Sequence, residues 1–409
     1  MNAFDVLKER GFVAQCTHED EVRELFGKEK VAFYNGYDPT ADSLHIGHFT
    51  NFMALSWLQR GGHRPIVLMG GGTAMVGDPD KADAMRPIME ISQIDHNVEC
   101  FKAQAAKFID FNNDKAIMVN NADWLRELKY ADFIREYGVH FSVNRMLTAD
   151  KYKTKFEGSG LSFFELNYMV MQAYDFLELN RRYGCVMQTG GSDQWSNIIA
   201  GVELTRRVDR KAVYGMTFAL LLAQGEKMGK TMGNAVWLDA AKMPAYDFYQ
   251  HFRNVADIDV RQHLAMLTYL PMEQVNELAA LKDSAINEAK DVLAYEVTKI
   301  VHGEEEAEKA KAAAKALFAG AGHGGAAEVP TVEMPRADFA DGMPIIELME
   351  RLALAPSRGE SRRLIQQGGV LVKGEKVSDI GLSITIDMFE EDELMIQKGK
   401  KVHKKVRLV

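Results

Sequence analysis

Four short apolar runs, separated by stretches of helical periodicity, punctuate the first half of the chain. They read VAFYNGY (31–37), RPIVLMGGG (64–72), KAIMVNN (115–121) and GCVMQTGG (184–191). Runs of this length fit strands buried on both faces, and their alternation with helical patterns implies a mostly parallel sheet with crossover helices. An amphipathic helix is expected ahead of the first run. SQIDHNVECFKAQAAKFIDF (92–111) has helical spacing and a serine able to cap its start. In such sheets ligands sit at the carboxyl ends of strands, so the residues just after each run are the ones to inspect.

Beyond Met243 the strand-like runs stop, and segments such as AYDFYQHFRNV and VRQHLAMLTYL read as helices as far as Phe318. AGAGHGGAAEVPTVEMP, rich in Gly, Ala and Pro, reads as a linker, and a compact helix–helix–strand module follows it. A chain of 409 residues exceeds what one core serves. The expected division is 1–242, 243–320, a linker over 321–342, and 343–409. No apolar run approaches the ~18 residues of a membrane span, and the start MNAFDVLKERGF lacks the pattern of a secretory signal. Cys16, Cys100 and Cys185 are far apart with no C-x-x-C pair, which fits reduced thiols in a cytoplasmic protein rather than a zinc site.

Net charge is −9, which alone disfavours a nucleic-acid partner. The distribution differs: residues 343–409 hold 12 Lys+Arg against 10 Asp+Glu, and KGKKVHKKVRLV at the end holds six basic residues and no acid. A basic tail on an acidic body suggests a local polyanion contact, with a solvated end as the plain alternative.

PTADSLHIGHFT (39–50) sets His45 and His48 three apart around Gly47, at the head of an apolar helical run. A metal pair needs a third ligand, and neither cysteines nor a His-Glu-x-x-His pattern supplies one. An ordinary helix start is the commoner reading, yet glycine in the first turn costs about 1 kcal/mol against alanine. Close approach of a flat ligand to the backbone would motivate Gly47. A helix N-terminus also presents unpaired N–H groups and a positive dipole end to phosphates, so a phosphate-binding corner is favoured.

GEKMGKT (225–231) resembles a Walker loop but fails its count, with three residues between Gly225 and Gly229 instead of four. FALLLAQ just before it is a plausible strand. What remains is a glycine-containing loop presenting Lys227, Lys230 and Thr231. Alone, two lysines would be surface solvation; with a phosphate corner upstream they suggest a clamp on a triphosphate.

The two segments together resemble the signatures of the class I aminoacyl-tRNA synthetases. HIGH is intact at His45-Ile46-Gly47-His48, and KMGKT is similar to the second signature, usually written KMSKS, with Gly229 at the variable place. The whole chain resembles the bacterial-type tyrosyl-tRNA synthetases. That resemblance implies an α/β fold: a Rossmann-like parallel-sheet catalytic domain, a helical anticodon-region domain, and a small S-four-like RNA-binding domain at the C-terminus. It implies activation of L-tyrosine with ATP, carrying Mg²⁺ as its counter-ion, to tyrosyl-adenylate and pyrophosphate. The tyrosyl group then passes to the 3′ end of tRNA(Tyr). A homodimer is implied as well.

The same resemblance assigns roles. Tyr34 and Asp175 contact the phenol, and Asp78, Tyr168 and Gln172 hold the substrate ammonium, with Gln194 near the reacting tyrosine. Gly47, Gly191 and Asp193 bind ATP, Asp193 through ribose hydroxyls. Thr40, His45, Lys227, Lys230 and Thr231 stabilise the β- and γ-phosphates, and His48 packs near the nucleoside. Arg86 is the better candidate for pyrophosphate in GDPDKADAMR, since the basic residue Lys81 is displaced by one position from the usual pattern. Arg358, Arg362 and Arg363 bind tRNA.

Residue patterns bear on several of these roles. Tyr168, Gln172 and Asp175 fall on one helical face as i, i+4 and i+7, and a purely apolar core would not place Gln and Asp there. GGSD serves equally as a turn and cap. The nearest competing reading is tryptophanyl-tRNA synthetase, against which Tyr34, Asp175 and the tail argue. A non-catalytic RNA-binding paralogue is opposed by two complete signatures. A nicotinamide-dependent dehydrogenase fails for want of G-x-G-x-x-G after the first strand.

Overall fold

Strand order explains where a cleft forms. A computed structural model describes residues 2–79, 88–223, 226–227, 235–319, 331–340, 342–355, 357–399 and 402–409. Six strands form one sheet: β1 (Val13–Cys16), β2 (Ala32–Tyr37), β3 (Arg64–Met69), β4 (Ile117–Asn120), β5 (Met187–Gly191) and β6 (Tyr214–Phe218). Their order is β1-β6-β5-β2-β3-β4. All neighbours are parallel except β1, which runs antiparallel to β6 at the edge. The sheet is therefore mixed, not purely parallel. Order reverses between β2 and β5, so the crossover connections leave in opposite directions and open a crevice beyond those carboxyl ends.

The four apolar runs are β2 to β5, and β3 is buried over five successive residues, as a strand covered on both faces must be. FALLLAQ is not one strand. Its Phe218 ends β6, and only Leu222–Ala223 is extended again as β7, paired with β8 (Glu226–Lys227) in a hairpin. The expected serine cap at 92 is also displaced. The N-cap of the helix Ile91–Ala105 lies two residues earlier, at Glu90, whose extended backbone presents its carbonyl to the Ile94 N–H.

The chain divides into two compact units, 1–243 with 251–303, and 244–250 with 304–409. The helical stretch 243–320 is thus shared between them. Within the first unit, buried Arg10 donates to the carbonyls of Ala265 (2.8 Å) and Thr268 (3.2 Å) at the end of the helix Val260–Leu267, while its guanidinium stacks 3.8 Å from the Trp57 ring. Trp57 belongs to the helix Ile46–Arg60, so the helical region is fastened to the helix that follows His45.

The second unit carries β9 (Thr331–Met334), β10 (Met343–Pro344), β11 (Val370–Val372), β12 (Glu375–Lys376), β13 (Ser383–Ile384), β14 (Glu393–Lys398) and β15 (Val402–Leu408). Five of them form a sheet in the order β12-β11-β14-β15-β9. The stretch 321–342 is therefore not linker throughout, because β9 pairs in parallel with β15 over Thr331–Met334. Val332 and Met334 pack into the same core as Leu394 and Val406, which fixes that register.

Candidate active site

His45 is the N-cap of the helix Ile46–Arg60, with extended backbone. Its Nδ1 accepts the Gly47 N–H at 3.1 Å, and His48 Nδ1 accepts the His45 N–H at 3.2 Å, a reciprocal box built from two imidazoles. Accepting at Nδ1 fixes the neutral tautomer with its proton on Nε2 in both rings. The rings stack 3.8 Å apart, and His48 lies edge-on to Tyr37 and Phe101. Gly47 has a reason inside the fold: a Cβ there would stand 3.0 Å from His45 Cε1. The imidazole cap is crowded by any Cβ at position 47, whatever approaches from outside.

Backbone pairing ties this cap to the chain after the second signature. Ile46 donates to the Val236 carbonyl and Leu238 to the Leu44 carbonyl, both at 2.9 Å, so His45 and Trp237 form a β-bridge. Lys230 and Thr231 lie outside the described residues, as do Arg86 and Lys81. Lys227 is placed only by its backbone, in β8. The described segments on either side of KMGKT are each anchored. One side is the hairpin, where the Leu222 carbonyl meets Nε2 of buried His263 at 3.2 Å; the other is the bridge to His45.

Asp175 and Tyr34 are each 1% exposed, in the interior that also holds Trp124 and Tyr174. Asp175 Oδ1 accepts from Trp124 Nε1 and Oδ2 from Asn121 Nδ2, both at 2.8 Å. Burial drives its carboxyl pKa up to about 8, with those two hydrogen bonds pulling the other way. Burial, then the neighbouring Asp175 charge, raises the Tyr34 phenol well above its ordinary value. The Tyr34 hydroxyl is buried and makes no hydrogen bond. A buried acceptor pair and an unsatisfied hydroxyl side by side suit a ligand hydroxyl, which both gives and takes a hydrogen bond.

From this slot a polar chain runs along the strand ends. Asn121 Nδ2 also donates to Thr73 Oγ1 at 3.0 Å, its Oδ1 accepts the Gly72 N–H at 2.7 Å, and Thr73 donates to Asp38 at 2.7 Å. Tyr168 donates to the other Asp38 oxygen at 2.8 Å. Gly70 permits the approach, since a Cβ there would fall 2.1 Å from Asp38 Oδ1. Thr40 follows with its N–H on the Asp38 carbonyl at 2.8 Å.

A second cluster gathers three of the expected residues. Asn197 Nδ2 reaches Gln172 at 3.0 Å, Gln194 at 3.1 Å and Asp78 at 3.4 Å, and Gln194 Nε2 donates to Asp78 at 2.7 Å. Asp78 also holds an ion pair with Lys151. Gly191 closes β5, and Asp193 follows in the turn Ser192–Gln194, across the crevice from Asp38.

Asp38, Asn121, Trp124, Asn197 and Lys151 were not singled out from sequence. Asp38 and Asn121 are the first residues after β2 and β4, where the strand-end rule points. Trp124, Asn197 and Lys151 stand on helices and carry no such signal.

In the second unit Arg358, Arg362 and Arg363 are exposed on the helix Arg358–Gln366. Arg358 pairs with Glu350 at 3.3 Å and Arg363 with Glu360 at 2.8 Å; Arg362 has no ion pair among the described residues.

The family profile described as tRNA synthetases class I (W and Y) matches residues 27–319, the span holding the sheet and its cleft. The chain is a class I aminoacyl-tRNA synthetase. A second profile, Tyrosine--tRNA ligase SYY-like C-terminal domain, matches residues 323–406. The tyrosine--tRNA ligase of Clostridium kluyveri is 56% identical over 406 residues, 99% of each chain. That of Clostridium botulinum (Type Ba4) is 56% identical over 402 residues, 98% of each. The C-terminally truncated mitochondrial tyrosyl-tRNA synthetase of Aspergillus nidulans superposes with a TM-score of 0.70 at 28% identity, covering 78% of this chain and 94% of that one. Within its class, the chain belongs to the bacterial-type tyrosine--tRNA ligase family.

Proposed function

We propose that the crevice beyond β2 and β5 holds ATP against the His45 cap and tyrosine against Asp175. The reaction is tyrosine--tRNA ligation: tyrosine and ATP give tyrosyl-adenylate and pyrophosphate, and tRNA(Tyr) takes the tyrosyl group. The tyrosine carboxylate is ionised at neutral pH and attacks the α-phosphorus itself, so the chain needs no nucleophile of its own. Its task is to align two substrates and to place donors where charge grows on the leaving phosphates. His45, with its Nε2–H donor, Thr40, Arg86, and the Lys227, Lys230 and Thr231 loop take that part, and His48 packs near the nucleoside. Asp193 and Gly191 take the ribose, and Gly47 lets the nucleotide reach the helix end. Asp78, Tyr168, Gln172 and Gln194 surround the amino end of tyrosine.

The observation that carries the tyrosine reading is the Asp175 carboxyl held by Trp124 and Asn121 beside the buried Tyr34 hydroxyl. A tryptophan substrate, with one ring N–H donor, would leave more of that set unsatisfied. Mg²⁺ rides on the triphosphate and neutralises it.

The second unit binds tRNA as an S-four-like module through Arg358, Arg362 and Arg363. Two copies of the chain pair through a face where Val139 and Val143 are exposed on either side of residues 140–142, which line a cavity of about 440 Å³ together with Met146, Met169, Trp195 and the charged Arg145 and Glu203. A cytoplasmic setting suits three unbridged cysteines, of which burial pushes Cys16 up to about 12. No helix among the described residues is long and apolar enough to cross a membrane.

Lys230→Ala tests the phosphate clamp. Removal of one transition-state donor is expected to slow adenylate formation by about 10²-fold or more, with tyrosine affinity held within about twofold. Rapid-quench kinetics showing weakened tyrosine binding and unchanged chemistry would refute the assignment.

A further inference from the structure

Asp78 is already answered by a cation from within the chain. Its carboxylate accepts from the Lys151 ammonium, from Gln194 Nε2 at 2.7 Å and from Asn197 Nδ2 at 3.4 Å. The Lys151 and Asp78 side chains are 16% and 14% exposed, so the pair is largely withdrawn from water. Lys151 is not a loose surface lysine. It stands on the helix Asp150–Glu157, whose next turn is pinned by a buried pair, Lys155 with Glu165 at 2.6 Å. Its neighbour Tyr152 is fully buried and donates to Asn197 at 3.0 Å. The same asparagine touches Asp78, Gln172 and Gln194, so the helix reaches the amino end of the pocket through two adjacent side chains.

A primary ammonium is also what an amino-acid substrate brings. One carboxylate carries one charge, and two ammonium groups around it repel each other while competing for the same oxygens. We propose that Lys151 is an internal occupant of the amino-group subsite: it pairs with Asp78 in the free protein and is displaced by the substrate ammonium, and so determines how tightly tyrosine binds. The proposal rests on reading Asp78 as the ammonium partner.

A subsite occupied by its own lysine lowers apparent affinity by the fraction of molecules in which it is open. The benefit lies in the free state, where Asp78, largely withdrawn from water, has no other ion-pair partner among the described residues. A lysine serving only the fold would instead leave substrate affinity unmoved when neutralised. One contacting the substrate carboxylate would, when removed, weaken every ligand that carries that group.

Equilibrium binding of three probes separates these cases: L-tyrosine, tyramine, and 3-(4-hydroxyphenyl)propanoate, which lacks the amine. Lys151→Met is expected to bind tyrosine and tyramine about tenfold more tightly and the propanoate within about twofold of the parent. Lys151→Gln replaces it should the methionine variant fail to fold. Lys151→Arg, which keeps the charge, is expected to show no tightening. Unchanged or weaker tyrosine binding in the neutral variants overturns the proposal. Asp78→Asn is measured alongside. It is expected to weaken both amines and spare the propanoate, and amine affinities unaffected by Asp78→Asn would bring down the underlying reading of Asp78 instead.

Discussion

Asp175→Ala is expected to lower kcat/KM for tyrosine activation by about 10³-fold, with the KM for ATP nearly unchanged. Breaking a buried polar network costs several kcal/mol, and each 1.36 kcal/mol is a decade of rate. The truncation removes the acceptor for a ligand hydroxyl, strands Trp124 Nε1 and leaves Asn121 Nδ2 with only its bond to Thr73, both groups now reaching Asp175 at 2.8 Å. Asp175→Asn keeps the shape and gives a pH test. Because burial raises the Asp175 pKa from 3.8 to about 8, the unfolded chain loses this proton well before the folded one. The contribution is therefore complete at pH below about 4, declines as pH rises, and is gone beyond about 8. Thermal unfolding should show Asp175→Asn gaining on the parent across that interval and holding the difference above it. Tyrosine binding moves oppositely. A phenol donating to the carboxylate favours the ionised form, so affinity of the parent should increase from pH 6 to 8 while that of Asp175→Asn stays flat. Parallel profiles for the two proteins would remove Asp175 from the phenol site.

Deleting residues 323–409 is expected to reduce tRNA charging by about 10²-fold or more at moderate salt, since it removes Arg358, Arg362 and Arg363, proposed above to neutralise tRNA phosphates. Tyrosine-dependent pyrophosphate exchange should remain within about twofold. The position of the cut matters. Truncation at 343 would leave β9 without its partner β15, an unpaired edge that invites aggregation. The Aspergillus nidulans relative was itself crystallised in C-terminally truncated form. Full charging by the shortened chain would refute a tRNA role for the C-terminal unit.

Sequence showed what is periodic. Buried parallel strands are nearly continuous apolar runs, so β2 to β5 are visible without neighbours, and Tyr168, Gln172 and Asp175 announce one helical face. His45 and His48 are legible because a helix start has its own chemistry. The other two strands are less legible: β1, at an edge, reads VAQC with a half-exposed pattern, and β6, inside the sheet, holds Gly215 and Thr217 among apolar residues, so neither presents a clean period. β9 hides in a Gly- and Pro-rich stretch because its partner β15 lies some seventy residues onward, and pairing at that distance leaves no local mark. Trp124 looks like any core aromatic until its indole N–H is seen on Asp175. Lys151 looks like solvation until the fold sets Asp78 against it.

Amino-acid-dependent ATP–pyrophosphate exchange, run with each of the twenty amino acids, tests the central claim most directly. Exchange should appear with L-tyrosine, with phenylalanine behind by a factor approaching about 10⁵, the discrimination already known for tyrosyl-tRNA synthetases as a class. Exchange driven equally well by phenylalanine or tryptophan, or none with tyrosine, would contradict a triphosphate clamp joined to a slot that recognises the phenol hydroxyl.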